Sequence, residues 1–208
     1  TYYPWTRVRD SETGKTFYCP PSVAAIGTLS YSQAISEVWF APAGFNRGGL
    51  TAGAAGVPVV GVTEKLSSKD RDKLYEANIN PIASFPSEGL VVFGQKTLQR
   101  DRSALDRVNV RRMVLEVKRI VSNIATNFVF EQNTKALRDN FIAQVSPQLS
   151  LVQSNQGIDK FRVIMDETNN TVQDEERNVL NGTIVIVPTR AVEFIAIDFI
   201  ITNSGVSF

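Results

Sequence analysis

Apolar residues between positions 104 and 125 recur at helical spacing. Val110, Met113, Val114, Val117, Ile120, Val121 and Ile124 fall, at about 100° per residue, within a single arc roughly 120° wide. This predicts a long amphipathic helix over residues 104–125 that presents one stripe to a core. A second helix fits residues 134–145, capped at Asn133, with Pro147 opening a break before residues 148–152 continue. Upstream, Pro20-Pro21 blocks helix until Ser22; a helix over residues 22–40 is ended by Ala41-Pro42-Ala43-Gly44. Ser67 reads as the N-cap of a short helix, because acidic residues follow it where the helix dipole favours them.

Strand patterns have the shorter period. Phe161, Val163 and Met165 alternate with Arg162, Ile164 and Asp166, and Asn169-Asn170-Thr171 ends the run. Residues 79–85 and 90–93 are two brief strands separated by Pro86 and Gly89. Residues 183–187 and 193–202 flank Pro188-Thr189-Arg190-Ala191, a length that suits either a hairpin or a tight crossover corner. The last of these runs is apolar on both faces, which predicts a core strand buried on both sides. Residues 1–21 read as irregular extended structure with a turn at Asp10 to Gly14, and residues 44–61, with six glycines and Pro58, as a long surface loop. Helices and strands mix without strict alternation. The expected class is therefore α+β: a mixed β-sheet flanked by helices, one of them long and amphipathic, with extended terminal segments.

Composition narrows the possibilities. A chain of 208 residues can bury roughly 70% of its unfolded surface, enough for one substantial domain spanning residues 1–208. A start at Thr1 without a signal pattern reads as a fragment of a longer chain, with residues 1–21 as an extended N-terminal segment. The chain stops on Asn203, Ser204, Gly205, Val206, Ser207 and Phe208 with no polar tail. Termini fray unless something ties them down, so residues 203–208 are a candidate inter-subunit arm, which points toward assembly rather than chemistry.

The 22 basic and 21 acidic residues leave a net charge of +1, which argues against a whole-molecule nucleic-acid or membrane-surface binder. The single cysteine, Cys19, cannot form an intramolecular disulfide or a cysteine-based zinc site. No apolar run approaches the roughly 18 residues that span a bilayer.

The chain has no histidine, which removes the usual triads, histidine-ligated metals and the commonest general base. Gly14-Lys15-Thr16 imitates the end of a phosphate-binding loop, but Arg9 stands where the loop's first glycine belongs. Gly49, Gly53 and Gly56 have the wrong spacing for a dinucleotide fingerprint and precede the candidate strand over residues 57–62. Asp166, Glu167, Asp174, Glu175 and Glu176 form an acidic loop without calcium-loop spacing. The sequons at Asn169 and Asn181 read as polar turns. No catalytic, cofactor-binding or metal residue is assigned.

One charge pattern is asymmetric. Arg107, Arg111, Arg112, Lys118 and Arg119 fall on an arc of roughly 140° beside the apolar stripe of the long helix. This face is either solvated or docks on an acidic protein surface or a phosphate backbone. No aromatic residues interleave with it, which weakens the nucleic-acid alternative.

Tyr3-Pro4-Trp5, Pro20-Pro21-Ser22, the run from Val38 to Gly48 (Val-Trp-Phe-Ala-Pro-Ala-Gly-Phe-Asn-Arg-Gly) and Asn78-Ile79-Asn80-Pro81-Ile82 resemble the tail sheath proteins of contractile bacteriophages. The run from Leu105 to Arg112, Phe130-Glu131-Gln132-Asn133, Asn169-Asn170-Thr171 and Pro188-Thr189-Arg190-Ala191 resemble that family's C-terminal region, in order. The resemblance implies the conserved core of a sheath subunit, with outer domains and an N-terminal arm missing. It implies a homo-oligomer of stacked hexameric rings polymerised helically around a tail tube, with baseplate and tail terminator proteins as further partners. Such a sheath contracts to drive the tube through the host envelope, belongs to the virion tail and is assembled in the host cytoplasm. Nucleic acid and membrane insertion are not expected. Within that frame the basic residues are a candidate tube-docking face. The alternatives are the sheath of a bacteriocin or secretion system, a nucleotide- or cation-binding enzyme fragment, and a nucleic-acid-binding module using the basic helix.

Overall fold

The computed structural model describes residues 1–51 and 55–197. In chain order the elements are β1 (Tyr2–Tyr3), β2 (Thr6–Arg9), β3 (Thr16–Cys19), α1 (Pro21–Ile35), β4 (Val59–Val62), α2 (Ser68–Glu76), β5 (Asn80–Phe85), β6 (Gly89–Val92), α3 (Val108–Thr126), α4 (Lys135–Ser154), β7 (Ile158–Ile164), α5 (Val172–Glu176) and β8 (Thr183–Pro188). The class is α+β, as expected, and the strands are divided among three small sheets. One is mixed, in the order β1-β5-β6 with β1 parallel to β5; one is antiparallel, β3-β2-β4; and the third is the two-stranded antiparallel ribbon β7-β8.

Two apolar clusters hold these pieces. The first lies between α3, α4 and the ribbon and contains Met113, Val117, Val145, Leu149 and Ile158, all essentially buried. The apolar stripe read from the sequence supplies the α3 side: Val110, Met113 and Val117 are in the cluster, and Val114, Val121 and Ile124 pack against it. Trp39 joins from a distant part of the chain, and its indole donates to the Asn155 carbonyl at 2.7 Å. The second cluster joins β2, α1, β4 and the β5-β6 hairpin through Val8, Leu50, Val59, Ile82 and Val92.

Local expectations failed where burial outweighed a local signal. Pro147 does not break α4, which runs unbroken from Lys135 to Ser154 with Thr134, not Asn133, as its side-chain cap. A proline inside a helix costs about 3 kcal/mol. Val145, Leu149 and Val152, on either side of it, each gain about 1.5–3 kcal/mol by burial, which wins. Residues 1–21 are not irregular: β2 and β3 form a hairpin in register Thr6↔Cys19, closed by the turn expected at Asp10 to Gly14. Helix α1 stops at Ile35, short of the expected residue 40.

The described residues of 44–61 are not all surface loop either. Leu50 is fully buried, Gly49 bridges to Val91, and β4 pairs with β2. The glycines permit this close packing: a Cβ on Gly48 would stand 2.6 Å from the Val92 carbonyl oxygen.

β8 pairs with β7, and residues 193–197, the described part of the strand expected over 193–202, pair with no strand among the described residues. Residues 189–197 carry no regular structure, and residues 198–202 lie outside the described set. The physical reason is the capture of Glu193: its carboxylate is held by Arg107, Tyr75 and Gln95 of the body, which draws the chain off the line of the ribbon after Thr189 and leaves both outer edges of β7-β8 open among the described residues.

Between the clusters, buried Asn80 ties β5 to the segment that leads into α3. Its amide donates to the Lys96 carbonyl at 2.8 Å, and its oxygen accepts from the Lys96 N–H at 2.7 Å. Asn80→Ala would leave both Lys96 backbone groups without these partners. The expected loss is about 2–4 kcal/mol of unfolding free energy, read from the denaturant midpoint at unchanged m.

Candidate assembly interface

The ribbon β7-β8 has one packed face and one free face. Phe161, Val163, Ile184 and Ile186 point inward against the α3-α4 cluster, while Val185 and Val187 stay half-exposed on the other side. Each ribbon strand has a single partner among the described residues, so each also carries one edge of unpaired N–H and C=O groups. Such an edge is a template for an added strand.

The chain then leaves the ribbon. Among the described residues the last backbone hydrogen bond runs from the Thr189 N–H to the Gly157 carbonyl, at 3.2 Å. Beyond it Val192, Phe194, Ile195 and Ile197 are mostly exposed, Phe194 at 81%. A run of large apolar side chains held in water is the feature that a monomeric domain avoids.

One residue of this run is held firmly. The Glu193 carboxylate receives Arg107 as a fork, Nε at 2.6 Å and Nη2 at 3.0 Å, with Gln95 Nε2 at 3.4 Å and the Tyr75 hydroxyl donating as well. These donors come from the N-cap of α3, from the segment after β6 and from α2. Arg107 also holds Asp106 at 3.0 Å, and the Tyr75 ring meets Phe194 edge-on at 6.3 Å between centroids. The Lys96 ammonium sits 3.8 Å from the Tyr75 ring centre. A cavity of about 300 Å³ opens beside this cluster, with Arg71, Tyr75, Phe93 and the chain at Val192 to Phe194 in its wall.

The electrostatics fit a permanent anchor at neutral pH. Burial pushes the Glu193 carboxyl upward, but the hydrogen bonds from Arg107 and Tyr75 more than offset it and hold the group below the usual glutamate range. Burial and the facing carboxylate push the Tyr75 hydroxyl well up, so it remains a donor. A carboxyl depressed on folding contributes stability above its unfolded value of about 4.3, and that contribution fades as the pH falls through the folded value.

The five residues proposed for a basic face are not one surface. Arg107 is the N-cap of α3, in extended conformation, and turns toward Glu193. Arg111 donates to the Leu105 carbonyl and to Gln99, and Arg112 is half-buried against the Leu29 carbonyl and Gln33 of α1. Arg119 pairs with Glu116 one turn back. Lys118 is exposed, and no ion pair to it is found among the described residues. Lys118 and Arg119 remain as outward charges side by side. The candidate arm, Asn203, Ser204, Gly205, Val206, Ser207 and Phe208, lies outside the described residues.

Other sequence motifs resolve into structure. Gly14-Lys15-Thr16 closes the β2-β3 hairpin, with Gly14 at φ 69°. Asp174 forms a capping box with Thr171 at the start of α5, and Asp166 accepts from Thr168 in a turn. Among the described residues no group of three or more acidic or cysteine side chains is placed to hold a metal ion. Sequence reasoning missed Tyr75, Gln95 and Glu193 as a cluster. The available signal was Glu193 itself, the one charge in the apolar run from Ala191 to Ile197.

No family model matches the sequence. Over 96% of its length the chain is 33% identical to the tail sheath protein of Vibrio phage KVP40, of which it covers 29%. Over 92% of its length it is 30% identical to the tail sheath protein of Enterobacteria phage T4, covering 28% of it. The chain thus spans under a third of these curated relatives. Its fold matches that of an extracellular contractile injection system, the PVC sheath complex in its contracted state, with TM-score 0.82 at 23% identity over 95% of this chain and 54% of the other. The contracted helical sheath of the anti-feeding prophage gives TM-score 0.79 at 23% identity, again over 95% of this chain and 54% of the other.

Proposed function

We propose that this chain is the assembly core of a contractile tail sheath subunit, which polymerises helically around a tail tube and contracts to drive that tube through a host envelope. The observation that carries the proposal is the pairing of a ribbon whose two outer edges are open with an apolar exit segment, residues 192–197, that has no strand partner, both among the described residues. An added strand on a neighbour's ribbon satisfies both. The exit segment gains backbone hydrogen bonds, and its apolar side chains leave water. Donor and acceptor surfaces differ, so the contact is heterologous and repeats without closing on a pair. Linked strands keep neighbours joined while flexible joints absorb the rotation of contraction.

Similarity in sequence to phage tail sheath proteins supports a virion tail as the place of work, with a homo-oligomer of stacked hexameric rings and with baseplate, terminator and tube proteins as partners. The injection-system sheaths share the fold at lower identity, which favours the phage assignment over theirs. Electron microscopy of the full-length protein tests the proposal: tubular polymers are expected, and a protein that stays monomeric at high concentration overturns it.

Lys118 and Arg119 are the charges best exposed for touching an acidic tube, whereas Arg112 holds α1 and is a poor choice for replacement. Exposed pairs contribute about 0–1 kcal/mol each, which suits a contact repeated in every subunit and then broken. Lys118→Gln combined with Arg119→Gln should weaken assembly on purified tubes at low salt, with the difference shrinking as salt screens the contact. Unchanged assembly at low salt removes these residues from the tube contact.

A further inference from the structure

We propose that Glu193 is the pin that fixes where the exchange segment leaves the subunit, so that residues 189–193 travel with the body and only the chain beyond them is delivered to a neighbour. This deepens the strand-exchange reading and rests on it. The geometry has three parts. The ribbon ends at Pro188, and the next four residues have no regular structure and point most of their side chains to water. Glu193 then returns to the body and receives hydrogen bonds from Arg107, Tyr75 and Gln95, which belong to three separate segments. Phe194, immediately after it, is exposed apart from its edge contact with Tyr75.

A pin at this position changes the assembly problem. Without it, residues 189–193 form a free tether that can reach up to about 17 Å from the ribbon in any direction. With it, the segment starts from one point and one heading, which raises its effective concentration at the neighbour's edge. The fork of Arg107 matters here, because two parallel bonds to one carboxylate set its orientation as well as its position. Arg107 is itself fixed as the N-cap of α3, so the pin is mounted on the longest apolar stripe of the core.

The test uses the full-length subunit and two readouts. On the unassembled protein, trypsin cleavage after exposed Arg190 reports how often the tether opens. Glu193→Gln and Arg107→Gln should each speed this cleavage about tenfold or more, with thermal unfolding of the body little changed. Asp106→Asn, which removes the other carboxylate held by Arg107, should leave the rate as it was. In assembly, the first two variants should need about tenfold more protein to form tubes, or form tubes of irregular diameter. Unchanged cleavage in Glu193→Gln and Arg107→Gln overturns the pin. So does faster cleavage combined with normal, uniform tubes. Failure of the wild type to form tubes would strike the sheath assignment, while the cleavage rates still decide whether Glu193 holds the tether.

Discussion

Truncating the full-length protein after Glu193 will leave a folded subunit that no longer polymerises. The body loses little. Beyond Glu193 the described residues lack regular structure, and Phe194, Ile195 and Ile197 are 81%, 79% and 67% exposed. Neither apolar cluster includes them. Assembly loses a great deal. Burying each of those three side chains in a neighbour is worth about 1.5–3 kcal/mol, before the backbone bonds of an added strand are counted. Part of that gain offsets the ordering of the segment, yet a net 2.8 kcal/mol or so is already a hundredfold in affinity. The concentration needed for tube formation should rise at least about a hundredfold, measured by sedimentation and electron microscopy, at an unchanged thermal midpoint. A truncated subunit that forms tubes at the wild-type concentration removes the exchanged segment from the account. A shorter deletion of residues 203–208 tests the candidate arm separately.

Leu149→Ala is expected to be the most damaging single substitution in the body, by the opposite route. Leu149 is fully buried on α4, in the cluster that supports the ribbon from beneath together with Val145, Val152 and Ile158. Truncation at such a site costs about 2–5 kcal/mol, through lost transfer energy and the cavity left behind. The urea midpoint should fall accordingly at constant m, with assembly impaired only as far as the folded fraction falls. A loss below about 1 kcal/mol would mean that the ribbon does not depend on this cluster for its position.

The two experiments separate what the interface needs from what the fold needs. They also mark where the sequence was legible. The α3 stripe, the Ser67 cap, the two strands β5 and β6 and the alternation of β7 all stand as the pattern implied. Each is set by contacts within a few residues or by a single periodic face. The segments flanking residues 52–54 differ from the expected surface loop because glycine signals both flexibility and close approach, and Gly48 against Val92 is the second case. The basic arc was misread at its first member. The helix begins at Val108, so Arg107 is a cap and not part of a helical face.

The sequence by itself determined the α+β class, the long amphipathic helix α3 and its core-facing stripe, the lack of histidine and a resemblance that nearly the whole chain shares with tail sheath proteins. Periodicity and composition are local properties, and a chain carries them wherever it folds. Tertiary structure alone decided which strand β8 would pair with, which partners the arginines of the basic arc take and where the exit segment is held. Those outcomes depend on groups up to 118 positions apart, as between Tyr75 and Glu193, competing for one partner. The apolar end of the chain reads in one dimension as a core strand. In three dimensions β8 takes β7 as its partner, the Glu193 carboxylate ties the exit segment to the body, and Phe194, Ile195 and Ile197 face outward.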